Sequence, residues 1–365
     1  MLSRVIAATP GIHHEVICLS GQQWYSEVIE GLGVRVHHLN MRSISPGGMA
    51  RMRRLVRDSD ADVVQCWMYR ANLLGGLTAR LSGIPTIWNI RCSSVERLGI
   101  SPLLIARAGG AVAPWASDFV INCSNRSTEL HRKLGYGRAP GAVIPNGYDS
   151  GKFAPDQSTR DKVRSKFGFA PDTFLVGSIS RWDPQKDISN FLASLSLVAS
   201  RGVPVRALLV GGGLDDGNDQ LRAEIERYGC SDIIVTAGRR PDVNEIANAI
   251  DLHVLSSITE GFPNVVAETM LSGTVNVVTD VGDAALIVGD SGWIVPARDP
   301  DKLAQSIESA YKEWQSSPKQ WDRRRRMARD RIAANFSIDR MVAAYEDVWR
   351  RFASKRPAAA GAKAS

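Results

Sequence analysis

The chain has 365 residues, 44% of them hydrophobic and 23% charged, with a net charge of +7 at pH 7 and a pI of about 9.3. That length suits two domains better than a single core, and the composition is that of an ordinary soluble globular protein. Five scattered cysteines, Cys18, Cys66, Cys92, Cys123 and Cys230, are odd in number and sit in apolar contexts, which excludes a disulfide framework and a Cys-x-x-Cys metal site and points to a reducing cytoplasm.

In chain order, Met1 to Ala8 has helical composition and leads through Pro10 and Gly11 to a strand at 14–19. A helical stretch at 25–32, a strand at 34–39 and a helix at 48–59 follow, the last carrying Arg51, Arg53, Arg54 and Arg57. A strand at 62–67, a helix at 71–81 and strands at 85–90, 119–123 and 141–145 complete this half. Strands alternating with helices at this interval predict a parallel, doubly wound sheet. The Leu103 to Trp115 stretch is weakly polar, but Arg107 and Pro114 interrupt it and it is too short to span a bilayer. The apolar run after Arg4 ends at Pro10, so no signal-peptide core is read there.

A Pro-, Gly- and Asp-rich passage after Asn146 to about Pro155 marks a crossover. Beyond it a second series repeats the alternation: helix 160–167, strand 173–179, helix 188–200, strand 205–210, helix 220–228, strand 233–236, helix 244–249 and strand 252–255. Strands at 275–279 and 292–295 and helices at 301–314 and 338–352 finish the fold. The predicted organisation is a domain over 1–147, a second over 148–335, a helix over 336–352 that packs back on the first domain, and a disordered tail over 353–365.

Four loops of the second half follow strand C-termini, where open α/β sheets bind ligands. The first carries Arg181 and Lys186, two cations suited to a diphosphate. The second holds Gly211, Gly212 and Gly213, which allow close backbone approach. The third carries Gly238, Arg239 and Arg240, which suit a base. The fourth runs from Ile258 through Glu260, Gly261, Phe262, Pro263 and Asn264 to Glu268, with Pro263 fitting the first helical turn. Free amides there attract an anion, while Glu260 and Glu268 would accept from hydroxyls. Together these features describe a nucleotide sugar. Each also has a plainer reading: loop cations are commonly solvated, and glutamates suit a helix start.

Val143-Ile144-Pro145-Asn146-Gly147, Ser180-Arg181 with Lys186, and Glu260-Gly261-Phe262-Pro263 with Glu268 together resemble the retaining glycosyltransferases of family 4. The resemblance implies the GT-B architecture, two doubly wound Rossmann-like domains facing a central cleft. It implies that Arg181 and Lys186 hold the donor diphosphate, that Glu260 meets the donor sugar and that Glu268 meets the ribose. Gly261, Phe262, Pro263 and Asn264 would present backbone, with Gly212, Arg239 and Arg240 also on the donor side. Transfer would keep the anomeric configuration and need no metal and no cofactor beyond the nucleotide-sugar donor. The acceptor would be a cell-surface polysaccharide or a lipid-linked saccharide.

Two departures from the family stand out. Its members usually begin with a strand and a glycine-rich loop ahead of the helix in which this chain opens, so that strand is expected to be missing here, with the true start upstream or the enzyme damaged. Where many relatives carry a histidine near the donor sugar, Arg91 stands, suited to an anionic sugar or phosphate or to a plain salt bridge. Asn146 joins it as a candidate cleft residue.

The pairs His13-His14 and His37-His38 offer no spaced third metal ligand, and Asp58, Asp60 and Asp62 read as a charged helix end. Arg51, Arg53, Arg54 and Arg57 could face an anionic membrane from the cytoplasmic side or simply a solvated surface. No basic stripe with stacked aromatics suggests nucleic acid. The remaining alternatives are an inactive sugar-nucleotide-binding protein and a GT-B nucleotide-sugar epimerase.

Overall fold

The computed structural model describes residues 1–41, 43–92 and 100–354. The chain forms two compact units, Met1–Gly147 with the segment from Ile338, and Tyr148–Ser337. Of the disordered tail expected over 353–365, Ala353 instead ends the last helix, and the residues from Lys355 lie outside the described ones.

The first unit runs α1 (Leu2–Ala7), β1 (Glu15–Cys18), α2 (Trp24–Glu30), β2 (Arg35–His38), α3 (Pro46–Asp58), β3 (Val64–Trp67), α4 (Tyr69–Leu81), β4 (Thr86–Ile90), α5 (Ile100–Ala116), β5 (Phe119–Asn122), α6 (Asn125–Lys133) and β6 (Gly141–Val143). Its strands are all parallel. They do not form the single sheet expected, because β1 and β2 pair only with each other while β3, β4, β5 and β6 form a separate four-stranded sheet. Helices α5 and α6 go beyond the elements read from sequence.

The second unit runs α7 (Gln157–Lys166), β7 (Phe174–Ile179), α8 (Ile188–Ser200), β8 (Val205–Val210), α9 (Asp219–Arg227), β9 (Ile234–Thr236), α10 (Val243–Ala249), β10 (Leu252–Leu255), α11 (Asn264–Leu271), β11 (Val275–Thr279), α12 (Ala284–Val288), β12 (Trp293–Val295), α13 (Pro300–Ser316) and α14 (Pro318–Asn335). Finally α15 (Ile338–Ala353) joins the first unit, where Met341, Tyr345, Val348 and Phe352 share a core with Val5, Ile87, Phe119 and Ile121. Among the described residues no helix is long and apolar enough to cross a membrane.

The second sheet has the order β12-β11-β10-β7-β8-β9, all parallel. Its strands are apolar nearly throughout because both faces are covered. On β7, Phe174 and Val176 meet α8 and α13 on one face, while Leu175 and Ile179 meet α7 and α10 on the other. Each such side chain contributes about 1.5–3 kcal/mol on burial. A buried charge cluster ties α7 to this sheet. Asp251, just before β10, accepts from Arg164 and Arg160 at 2.6 Å each and from the Leu175 amide at 2.8 Å. Arg164, 1% exposed, spends its other donors on the carbonyls of Ala249, Ala170, Pro171 and Thr173.

Strand order reverses between β7 and β10, so the chain leaves these neighbours toward opposite sides of the sheet. A crevice opens beyond their C-termini, where such sheets take ligands.

Candidate functional site

The site grows from the two loops that leave β7 and β10 at this reversal. After β7, the Asp183 carboxylate accepts from the Gln185 amide at 2.9 Å and its carbonyl from the Lys186 amide at 2.8 Å, a side-chain-stabilised turn of the kind aspartate favours. The loop is then fastened to the end of β10. Ser256 donates to the Lys186 carbonyl at 2.8 Å and the Ile258 amide to the Gln185 carbonyl at 2.8 Å. This brings the Lys186 ammonium onto the Glu260 carboxylate, with side chains 20% and 12% exposed. Ser257 donates to the same carboxylate oxygen at 2.7 Å.

Two glycines permit the close approach of these loops. At Gly211, φ is 143° and a Cβ would lie 1.6 Å from the Ser180 carbonyl oxygen; at Gly282, φ is 58° and a Cβ would lie 2.4 Å from that of Glu260. Any side chain at either position collides with backbone. The Asp283 amide, next to Gly282, donates to the Gly261 carbonyl at 3.0 Å, which holds the Glu260 loop from below.

Around Lys186 and Glu260 lies a cavity of about 330 Å³, lined also by Arg181, Gly211, Arg239, Arg240, Phe262, Pro263 and Asn264. Eight of the residues predicted from sequence therefore share one hollow. Gly212, Gly261 and Glu268 are not among the lining residues; the glycine in the wall is Gly211. Arg181 is 73% exposed, 3.7 Å from Asp183, and so free to swing. Arg240 is clamped by Asp242 through two bonds of 2.8 and 2.5 Å. Arg239 is exposed.

Pro263 occupies the cap position of α11, with φ −69° and ψ 101°, rather than the first helical turn predicted for it. Extended ψ at that residue is what aims the chain into the helix, and Pro263 itself has no side-chain cap to offer. The Phe262 ring turns inward, 6.4 Å from Tyr148 and 5.3 Å from Phe336. Tyr148 also donates to Asn264 Oδ1 at 2.7 Å, a support that an isolated Tyr in the crossover gave no reason to expect.

Beneath the Lys186 loop, β10 carries His253, 1% exposed. Burial, with a further contribution from the Lys186 charge, pushes its pKa down to about 4, so the imidazole is neutral. Its Nδ1 is 2.7 Å from Asn276 Oδ1. Sequence reading passed over His253 because a lone histidine in an apolar strand carries no spacing signal.

Arg91 and Asn146 belong to the first unit. Arg91 follows β4, where it donates to Tyr345 at 3.1 Å and Asn89 at 3.3 Å and stacks on Trp67 at 5.6 Å. Burial raises the Tyr345 hydroxyl pKa, so the partner stays a neutral phenol. Among the described residues no carboxylate forms a salt bridge with Arg91, in contrast to the salt-bridged alternative. Asn146, 5% exposed, follows β6. The imidazoles of His13 and His37 approach Glu15 and that of His38 approaches Glu30. Among the described residues no group of three or more His, Cys, Asp or Glu could hold a metal ion.

Comparison with known proteins gives this geometry a context. The family model "Glycosyl transferase 4-like domain" matches residues 3–147, and "Glycosyl transferases group 1" matches residues 170–313. The chain is 24% identical over 269 residues to the UDP-Gal:alpha-D-GlcNAc-diphosphoundecaprenol alpha-1,3-galactosyltransferase of Escherichia coli, covering 70% of this chain and 67% of that one. It is 28% identical over 195 residues to the lipopolysaccharide core biosynthesis mannosyltransferase LpcC of Rhizobium leguminosarum, covering 52% and 53%. The chain thus spans between about half and two thirds of these relatives' own length. Among solved structures, HepE of Anabaena in complex with UDP and glucose superposes with a TM-score of 0.83 at 20% identity over 96% of this chain and 95% of that one. WaaG, a glycosyltransferase involved in lipopolysaccharide biosynthesis, does so with 0.70 at 16% identity over 95% and 94%. Glycosyltransferase models account for both halves of the chain and the folds agree, so the protein belongs to the GT-B glycosyltransferases.

Proposed function

We propose that this protein moves a hexosyl group from a nucleotide-sugar donor to a growing polysaccharide or lipid-linked saccharide, with retention of anomeric configuration and without a metal ion. The observation that carries the reading is the convergence of Lys186, Glu260, Arg181 and Arg239 on one cavity at the β7/β10 reversal. Arg181 and Lys186 hold the donor diphosphate. As the bond from the anomeric carbon to the phosphate oxygen breaks, its electron pair leaves with the nucleoside diphosphate, and these two cations stabilise the charge that develops. The acceptor hydroxyl oxygen forms the new bond on the same face and passes its proton to the departing diphosphate oxygen. Glu260, preset by Lys186 and Ser257, accepts from donor-sugar hydroxyls and fixes the ring. The start of α11 adds the positive end of its helix dipole to the same hollow.

Glu268 on the ribose, Gly212 and Gly261 as backbone contacts, Arg239 and Arg240 beside the base, Arg91 toward an anionic sugar or phosphate and Asn146 as a cleft residue complete the assignment. A lipid-linked acceptor fits with the relatives, one of which is named for a diphosphoundecaprenol-linked substrate. It would be met at the cytoplasmic face of an anionic membrane through Arg51, Arg53, Arg54 and Arg57, all exposed on α3.

The test is calorimetric titration with UDP, GDP and ADP, followed by product analysis with the matching sugar donors. Transfer releases nucleoside diphosphate and yields a glycoside of the donor's anomeric configuration. Release of an isomerised nucleotide sugar would make the protein an epimerase, and binding without turnover an inactive receptor.

A further inference from the structure

The first unit carries an exposed apolar surface on one helix. Helix α5 buries Ala106, Gly109, Gly110, Ala113 and Ala116 on one side; these small residues let it lie close to its neighbours, and a Cβ at Gly110 would be 1.8 Å from the Leu134 carbonyl oxygen. The opposite side consists of Ile100, Leu104, Ala108, Ala111 and Trp115, all exposed. At 100° per residue these five fall within an arc of about 80°. Ile100 is 83% exposed, Leu104 59% and Trp115 53%. The helix contains no acidic residue, and Arg107 stands at the edge of the stripe. The Arg80 guanidinium at the end of α4 lies 6.0 Å from the Trp115 ring, and its chain neighbour Leu81 is 62% exposed.

Charge is concentrated on the same part of the chain. Residues 1–147 hold 16 Arg and Lys against nine Asp and Glu, whereas residues 148–365 hold 29 of each. The whole net charge of +7 therefore resides in the first 147 residues. Helix α4 packs against both α3 and α5, so the exposed arginines of α3 and the apolar stripe of α5 belong to one helical layer.

We propose that α5 is a membrane-docking helix: Leu104, Ile100 and Trp115 enter the interfacial zone of a bilayer containing anionic lipid, while Arg80, Arg107 and the arginines of α3 meet lipid phosphates. Either signal alone gives weak attachment, and the two together give a stable one. Tryptophan suits the headgroup boundary, its ring apolar and its N–H polar. The charge decides the occupant. A second copy of this chain docked by the same face would bring two strongly basic surfaces together, which is repulsive, whereas an anionic bilayer neutralises both. The proposal takes up the membrane contact proposed above for α3 and adds its apolar half; it does not depend on the donor site.

Cosedimentation of the full chain with phosphatidylcholine vesicles, with and without phosphatidylglycerol, tests it. The expected result is binding to the anionic vesicles only, with Leu104→Glu and Trp115→Glu together weakening it by about tenfold or more. The milder pair Leu104→Gln and Trp115→Gln, at exposed sites that tolerate polar residues, should weaken it in the same direction, so a folding failure of the first pair leaves the test intact. Replacing Arg51, Arg53, Arg54 and Arg57 by glutamate probes the α3 contact separately, and nucleotide titration of every variant keeps the donor-site reading apart. Unchanged vesicle binding by both α5 pairs, equal binding to neutral vesicles, or no binding by the wild type would overturn the proposal. So would a wild-type dimer that either α5 pair dissociates, which would assign the stripe to a second copy.

Discussion

The two units are built from the same parts, parallel strands joined by helices, yet they finish them differently. The second closes its six strands into one sheet, holds slightly more acidic than basic side chains and joins its site loops through bonds that leave Lys186 and Glu260 little freedom. The first carries two separate sheets, the net positive charge and an exposed apolar helix face. Its one candidate site cation, Arg91, leans on a phenol, an amide and an indole rather than on an acid among the described residues. Fixed electrostatics belong where charge develops in a reaction, because dipoles that need not reorganise lower the barrier. A unit that contacts large or lipid-bound partners gains more from open, one-signed surfaces.

The largest expected effect tests the fixed half. Lys186→Ala or Glu260→Ala should lower the rate of transfer by about 10³-fold while the protein still melts as a folded chain; full activity in either would remove the pair from the site. Next, Asp251→Ala leaves Arg164 and Arg160 without their carboxylate and should cost the second unit about 4 kcal/mol in urea unfolding. The first unit should unfold unchanged, and a single shared shift would show that the two do not unfold separately.

A smaller effect depends on pH. His253 has a folded pKa pushed down to about 4 from 6.5, so below pH 6.5 the unfolded chain takes up a proton that the native state refuses. Its contribution is fully present above pH 6.5 and falls by about 3 kcal/mol on the way to pH 4. His253→Gln should flatten that part of the profile of stability against pH, and an unaltered slope would mean that other groups carry it. The mildest effect expected is for Arg91→Lys. Losing the planar guanidinium that stacks on Trp67 and reaches Tyr345 should raise KM by about tenfold with kcat nearly unchanged. An unchanged KM would leave the first unit without its candidate cation.

How much of this was legible depended on range along the chain. Strands β8 and β10 fall where their apolar runs were read, Val205–Val210 and Leu252–Leu255, because a continuous run bounded by glycine, proline or polar residues is a local signal. Helix α5 escaped because it is apolar on both its buried and its exposed side, which erases the helical period. Helix α14 escaped because the run Arg323 to Arg326 masks its few buried residues, Trp321, Ala328 and Ile332. The break between β2–β1 and β3–β6 could not be read at all, since strand pairing is decided between distant segments. The site divides in the same way. Its loops were legible one by one from their position after strands, but the sequence set Lys186 toward phosphate and Glu260 toward sugar. That they meet each other across 74 residues is a product of the fold.

The return of α15 to the first unit also orders events in time. The core that Val5, Ile87 and Phe119 share with Met341, Tyr345 and Phe352 cannot close until the ribosome has made everything between. At about 5–20 residues per second, the intervening segment Tyr148–Ser337 takes on the order of 10–40 s to synthesise. During that interval the first unit waits with an apolar face open, while the second, continuous in sequence, can fold as it emerges. The nascent chain can thus complete its second unit before its first, whose core closes only once α15 has been made.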